Sequence, residues 1–342
     1  MSWQNSIRTK WMTVFITFIV STISVLYIFR STAFDNYYAI TQNNYFQEKR
    51  GKKVIAPRLF THSAKQEKRL KHLRDFCISS QHTYGISSLI RFLRSSTSNK
   101  AHFYVSHNMK LVYCSVPKIA STNWKRLLIM FEQATNASSV NSVEKNNVHA
   151  LPQVRLFNMI SKEGIKQTLF HYYKFLFVRH PFERLVSAYR NKFEENNKFF
   201  HKTYGSQILR LYRANLTEKQ YRRGNGVKFE EFILWILQKR VFDGHWSPIE
   251  SICHPCVLPY DFIGKMESLV ADSEQILKDL GSQEHFPAHL TDKHKTSLTS
   301  KQLIQKHFSE LSEETIRQLY KRYKVDFEAF DYKLPNITCK NG

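Results

Sequence analysis

One order of parts, an apolar strand, a loop with a cation, then a helix, occurs twice in this chain, and that repetition restricts the fold more than any other feature. The first copy runs "LVYCSV" (111–116), "PKIAST" (117–122), "NWKRLLIMF" (123–131). The second runs "KFLFV" (174–178), then Arg179 and a proline turn, then "ERLVSAYRNKF" (183–193). Leu185, Val186, Tyr189 and Phe193 fall on one helical face of it. Short strands interleaved with helices predict an α/β layered domain with a central parallel sheet flanked by helices.

The loops suggest what such a domain holds. Ser121, Thr122 or Asn123 is expected to cap the first helix, whose opening N–H groups and dipole make an anion site. Lys118 adds a full charge, and the Ser121 and Thr122 hydroxyls can donate to the same oxygens. The plainer alternative is an ordinary helix cap beside a surface lysine. It weakens because the second copy places Arg179 at a strand end with Ser187 in the helix that follows, a second grip for phosphate. A nucleotide phosphorylated at two distant positions needs two grips. The pattern G-x-x-x-x-G-K-[ST] is absent, which disfavours an ordinary ATPase or GTPase.

Charge and compartment narrow the partner. Lys and Arg number 51 against 28 Asp and Glu, a net +23 that attracts polyanions. Residues 11–29, "WMTVFITFIVSTISVLYIF", carry no charge and span roughly 28 Å as a helix, close to the thickness of a bilayer core. Arg8 and Lys10 precede this stretch, and no small-x-small cleavage site follows it, so a type II signal anchor is preferred to a cleaved signal peptide. Everything beyond it is then lumenal. Sequons at Asn136, Asn215 and Asn336 agree, and nucleic acid drops out as a partner. Cys77, Cys114, Cys253, Cys256 and Cys339 permit one or two bridges in an oxidising lumen. "CHPC" (253–256) has no second ligand pair, so a structural disulfide role is preferred to metal, with the connectivity open.

The expected organisation is a cytosolic tail (1–10), the anchor helix (11–29), a lumenal stem (30–69) and a lumenal catalytic domain (70–342). Leu70, Leu73 and Phe76 suggest a short amphipathic helix over 65–77, and "RSSTSNK" (94–100) reads as a loop. "HFYVSHNMKLVYCSV" gives two short strands with a turn at His107-Asn108. Residues 229–240 and 312–330 read as further amphipathic helices.

"CSVPKIASTNWKR" and "VRHPFERLVSAYRNKF" closely resemble the two nucleotide-binding motifs of the Golgi carbohydrate sulfotransferases. The branch is the one containing chondroitin 4-O-, dermatan 4-O-, N-acetylgalactosamine 4-O- and HNK-1 sulfotransferases. The resemblance extends through "GVKFEEFI" (226–233), "HWSPIESICHPC" (245–256) and "YDFIGKMESLVADSEQIL" (260–277), and is greatest to the chondroitin 4-O-enzymes. Ser121 departs from it, since many of that subgroup have cysteine there. The resemblance implies a P-loop-like sulfotransferase fold and 3′-phosphoadenosine 5′-phosphosulfate (PAPS) as donor. Pro117, Lys118, Ile119, Ala120, Ser121, Thr122 and Asn123 would hold its 5′-phosphosulfate. Arg179, His180, Pro181, Phe182, Glu183, Arg184, Leu185, Val186 and Ser187 would hold its 3′-phosphate. It further implies a sugar-hydroxyl acceptor, foremost position 4 of GalNAc in chondroitin, and residence in the Golgi membrane. No metal is expected.

Lys118 is expected to stabilise the bridging oxygen of the leaving nucleotide. Arg179 and Ser187 would anchor the 3′-phosphate, while Arg184 reaches it or lies at the surface. For the general base, His149 in "NNVHALPQ" is the first choice among 15 histidines, on its position relative to the base of related sulfotransferases. His245 in "GHWSP" is second and Glu183 third. Lys192, Lys198, Lys202, Arg210 and Arg213 are candidates for a groove that guides an acidic polysaccharide, against the plain reading of a solvated helix face. A membrane lectin that binds glycosaminoglycan without catalysis and a lumenal kinase remain as rivals. No metal-binding Asp/Asn constellation supports the kinase.

Overall fold

The computed structural model describes residues 63–80, 102–133, 139–143, 148, 155–156, 168, 171–290 and 298–339. The expected tail, anchor helix and most of the stem lie outside these residues, as do Asn136 and His149. Among the described residues no helix is long and apolar enough to cross a membrane. The described residues 63–77 and those from 102 onward fall in one compact unit.

A helix, α1 (Ala64–Ser79), precedes strands β1 (Phe103–Ser106) and β2 (Leu111–Cys114) and helix α2 (Ser121–Phe131). A two-residue β3 (Arg155–Leu156), β4 (Tyr173–Val178) and α3 (Pro181–Tyr189) follow. Next come α4 (Ser206–Tyr212), α5 (Glu218–Arg223), α6 (Phe229–Lys239), α7 (Ile249–Cys253), β5 (Phe262–Lys265) and α8 (Leu269–Asp279). The chain closes with α9 (Ser300–Phe308) and α10 (Glu313–Ala329).

The sheet order is β3-β1-β2-β4-β5. β2, β4 and β5 run parallel, but β1 is antiparallel to both β2 and β3. The sheet is therefore mixed, and the expected parallel sheet is corrected. The reason is chain length: only residues 107–110 join β1 to β2, too few for the crossover that a parallel pair requires. The parallel part carries the two loops, because β2 and β4 each feed a helix at their C-terminal ends.

The core explains why those strands are continuous apolar runs. Every residue of β2 and β4 is buried, as strands covered on both faces must be. In α2, Trp124, Leu127, Leu128 and Phe131 are buried at helical spacing and form the face that covers the sheet. Trp124 packs 4.5 Å from Phe175 of β4, and Tyr113 of β2 stacks on Phe175 at 4.8 Å. A second core lies among helices, where Phe182 of α3 stacks on Phe308 of α9 at 4.4 Å and meets Phe327 of α10 edge-on.

Helix α1 belongs to this unit and extends it into the expected stem. Arg69 donates to the carbonyl of Ile263 (2.8 Å), to Asp272 (2.7 Å) and to Ser268 (3.0 Å). Cys77 is bridged to Cys256, and Cys114 at the end of β2 is bridged to Cys253. Each cysteine of "CHPC" thus ties a different element to one turn, and Cys339 is unbridged. The bridges span 179 and 139 residues, so each removes much freedom from the unfolded chain. Replacing Cys114 and Cys253 together by serine is expected to cost about 2–5 kcal/mol of stability. Thermal unfolding reads this as a lowered midpoint; an unchanged midpoint would mean that the bridge constrains nothing.

Candidate active site

The first loop owes its shape to two residues that are not glycine. Lys118 and Ala120 have φ of 74° and 51°, in the left-handed region that costs an L-residue roughly 1–2 kcal/mol. These turns start α2 one residue earlier than the polar cluster suggests. Ala120, not Ser121, Thr122 or Asn123, is the N-cap, and it makes no side-chain cap bond. The N–H groups that open the helix are therefore left to an anion. Asn123 is spent on structure: its amide donates to the Pro287 carbonyl (2.9 Å) and accepts from Arg126 (2.8 Å).

The second loop meets the first through Arg179, whose guanidinium donates to the Lys118 carbonyl (3.2 Å) and pairs with Glu183 (3.2 Å). His180 caps α3: one ring nitrogen accepts from the Phe182 N–H (3.2 Å), so the other donates to the Lys333 carbonyl (3.0 Å). Pro181, Phe182 and Leu185 are buried, the last two within the helical core. Arg184 neither reaches the cavity nor lies at the surface. It is buried and donates to the carbonyls of Pro117 (3.2 Å), Ser247 (2.7 Å) and Gly244 (2.5 Å).

Between the loops lies a cavity of about 430 Å³. Of the expected donor-binding residues, Lys118, Ala120, Ser121, Thr122, Asn123, Arg179, Glu183, Val186 and Ser187 line it. Pro117, Ile119, His180, Pro181, Phe182, Arg184 and Leu185 do not. Sequence reasoning missed Arg126, Arg190 and the apolar wall of Met266, Leu269, Val270, Leu290, Leu303 and Ile304. A signal for Arg190 existed, since Glu183, Val186, Ser187 and Arg190 share the i, i+3, i+4, i+7 face of one helix. The lining combines cations and a helix N-terminus with apolar side chains, which fits a nucleotide that carries both phosphates and a base.

His245 stands on a tight turn beside the first loop. Asp243 accepts from the His245 N–H (2.8 Å) and from its ring Nδ1 (2.7 Å), while its other oxygen accepts from Tyr204 (3.2 Å). Burial works against the charge of Asp243, but its bonds to His245 and Tyr204 outweigh this and hold the carboxyl below its ordinary range. Burial is also the main cause that lowers His245 to about 4; Asp243 opposes, and Lys192 and Lys118 add to the lowering. The turn is pressed against the loop so closely that a Cβ on Gly244 would lie 2.3 Å from the His102 ring and 3.3 Å from Pro117. His102, which sequence reasoning passed over, is itself shifted down by burial and bonds the Ser115 carbonyl (3.0 Å). His149 lies outside the described residues; its neighbour Val148 is buried beside Ile129 and Val143.

The candidate groove cations divide. Lys192 sits 4.2 Å above the Phe200 ring, and Lys198 and Lys202 are exposed around Phe199. Arg213 instead forms a bidentate pair with Glu231 (2.6 and 2.9 Å), and Arg210 pairs with Glu218 (2.6 Å). Among the described residues no group of three or more His, Cys, Asp and Glu side chains could hold a metal.

Comparison with known proteins accounts for the two loops together. The model of the "Sulfotransferase family" matches residues 101–333. Carbohydrate sulfotransferase 11 of Rattus norvegicus is 39% identical over 259 residues, covering 73% of this chain and 72% of that protein. Carbohydrate sulfotransferase 8 of Mus musculus is 34% identical over 279 residues (79% and 64%), and carbohydrate sulfotransferase 14 of Danio rerio is 32% identical over 279 residues (80% and 73%). No solved structure matches. With its mixed sheet flanked by helices and its two loops on one cationic cavity, the chain belongs to the Sulfotransferase family, as an enzyme that transfers a sulfuryl group to a sugar.

Proposed function

We propose that this enzyme uses PAPS to sulfate position 4 of GalNAc in chondroitin, from the lumenal side of the Golgi membrane. The observation that carries the donor assignment is the bond from Arg179 to the Lys118 carbonyl, which makes two separate loops one site. The N–H groups at the start of α2, with Lys118, Ser121 and Thr122, suit a 5′-phosphosulfate. Arg179, Ser187 and Arg190 suit a 3′-phosphate, and the wall of Leu269, Val270, Leu303 and Ile304 suits adenine.

The donor, when bound, supplies an activated sulfuryl group whose leaving oxygen belongs to a phosphate. Lys118 stabilises charge on that oxygen as the bond to sulfur breaks. The acceptor hydroxyl oxygen bonds to sulfur on the opposite side, and its proton passes to a base. Of the two histidines expected in that role, His149 and His245, we take His245 as the base because Arg184 ties the turn that carries it to the loop of Lys118. Burial keeps the ring neutral, so it can accept a hydrogen bond from the hydroxyl, and Asp243 opposes the burial by raising its affinity for the proton.

The "ERLVSAYRNKF" and "CHPC" wording favours chondroitin over the other branch acceptors, and Lys192, Lys198 and Lys202 suit a polymer with a carboxylate on every disaccharide. Two long-range disulfides favour an oxidising compartment, and the sequon residues Asn215 and Asn336 are exposed. Residues 11–29 would anchor the chain there.

Full-length protein, radiolabelled PAPS and a panel of desulfated acceptors test the assignment. Disaccharide analysis should find 4-sulfated GalNAc in chondroitin; label confined to dermatan, N-glycan GalNAc or HNK-1 glucuronate would overturn the acceptor. Lys118→Ala is expected to lower kcat by about 10²–10³-fold with the fold retained, as for loss of an electrostatic stabiliser. Activity on polysaccharide should fall steeply as salt shortens the Debye length from about 30 to about 8 Å. A flat response would argue for a small neutral acceptor.

A further inference from the structure

Taking a proton in line with an attacking oxygen demands that one nitrogen of the base ring be fixed in place. We propose that Asp243 is the positioning residue for His245, held by Tyr204, and that Arg184 locks the pair to the loop bearing Lys118. This rests on the reading of His245 as the base. One Asp243 oxygen accepts from both the main-chain N–H and the ring Nδ1 of His245, a closed ring of bonds that fixes both side-chain torsions. A carboxylate can only accept, so Nδ1 carries the hydrogen and Nε2 is the acceptor. Phe200 stands edge-on to the ring at 5.2 Å and restricts its swing.

Arg184 sets the position of this unit relative to the donor. Its bonds end on the carbonyl of Pro117, one residue before Lys118, and on those of Gly244 and Ser247, which bracket His245. A planar guanidinium cannot follow one segment without drawing the other along. In the reaction the acceptor proton moves to Nε2 as the oxygen–sulfur bond forms, and the electron pair of the broken bond leaves on the phosphate oxygen beside Lys118. The positive charge that develops on the ring is balanced by Asp243, as in other carboxylate–histidine pairs.

The charged and titratable groups facing His245 are Asp243 on its own turn, Tyr204 from the preceding helical segment, Lys192 from the extension of α3, and Lys118 from the loop. Asp243 raises the affinity of His245 for a proton; the two lysines lower it. Asp243→Asn in the full-length protein should therefore move the pKa of His245 below its wild-type value. NMR of ¹⁵N-histidine-labelled protein, assigned against His245→Ala, reads that shift, and in Asp243→Ala it should also read the loss of the Nδ1–H tautomer. kcat should fall about 10²-fold or more, with acceptor KM and calorimetric affinity for the desulfated nucleotide within about twofold of wild type. The double variant D243N/H245A should be no slower than H245A. Tyr204→Phe, which deletes one hydroxyl, should give a smaller kcat loss that also vanishes on the H245A background. Wild-type kcat in D243N, or an undiminished cost of D243N on the H245A background, would reduce Asp243 to a turn cap and overturn the proposal. Wild-type kcat in H245A would remove the base and the proposal with it, while nucleotide affinity would show the donor site intact.

Discussion

Two arginines that open the same helix hold this site together by reaching main-chain carbonyls of another loop. Arg179 donates to Lys118 and Arg184 to Pro117, so consecutive carbonyls of the first loop are gripped from the second. Carbonyl acceptors leave the Arg184 charge largely uncancelled, whereas Arg179 is also paired with the Glu183 carboxylate. The bonds that set the spacing between the loops therefore also contribute to the positive potential that draws an anion in. Arg184 is buried, where an unsatisfied guanidinium would cost several kcal/mol, so its hold on three carbonyls is a condition of the fold.

A glycine-free phosphate loop needs restraint from outside. The left-handed residues Lys118 and Ala120 would relax if the chain around them could move. It is pinned on both sides: Cys114 is bridged to Cys253 just before the loop, and Trp124 is buried against Phe175 just after it. Cys253 in turn ends a helix whose first N–H groups donate to the buried Asp326 of α10 (2.7 and 2.8 Å). Tyr323 of α10 donates to the Trp246 carbonyl, next to His245. Strain in the loop is thus supported by Phe175, Cys253 and Asp326, all distant along the chain, and α10 also fixes the turn that carries His245.

What the sequence made legible was local. Both strand–loop–helix units could be read because apolar runs and helical spacing lie within a window of about twenty residues, and α6 and α10 agree with their expected limits to within a residue or so. Features set by distant partners could not be read. Arg184 looked like a phosphate ligand or a surface residue because its true acceptors at Gly244 and Ser247 lie 60 and 63 residues on. Ala120 was hidden because cap rules favour polar residues, and the cluster of Ser121, Thr122 and Asn123 drew the assignment forward. The antiparallel β1 followed from a connection only four residues long, and this could have been counted. Asp243 two residues before His245 was also visible as text, but the spacing gains meaning only once the turn folds back on itself.

Glu183 puts a carboxylate in the lining of a cationic cavity, and its partner explains it. Residues 179 and 183 are one helical turn apart, and the Glu183 oxygen lies 3.2 Å from Arg179 Nε. Bonding at Nε leaves the outer nitrogens of the fork available to other acceptors, one of which is the Lys118 carbonyl. Arg190 and Glu194 repeat the arrangement one face further along, again through Nε at 3.2 Å. In each case the carboxylate repels an incoming phosphate somewhat, but it holds a long side chain in one orientation before the ligand arrives. The entropy of ordering that arginine is then met in folding and not in binding. In the proposed mechanism Lys118 has a different task, because the oxygen it would serve gains charge only as a bond breaks, and a compact ammonium on a flexible stem can follow that oxygen as it moves.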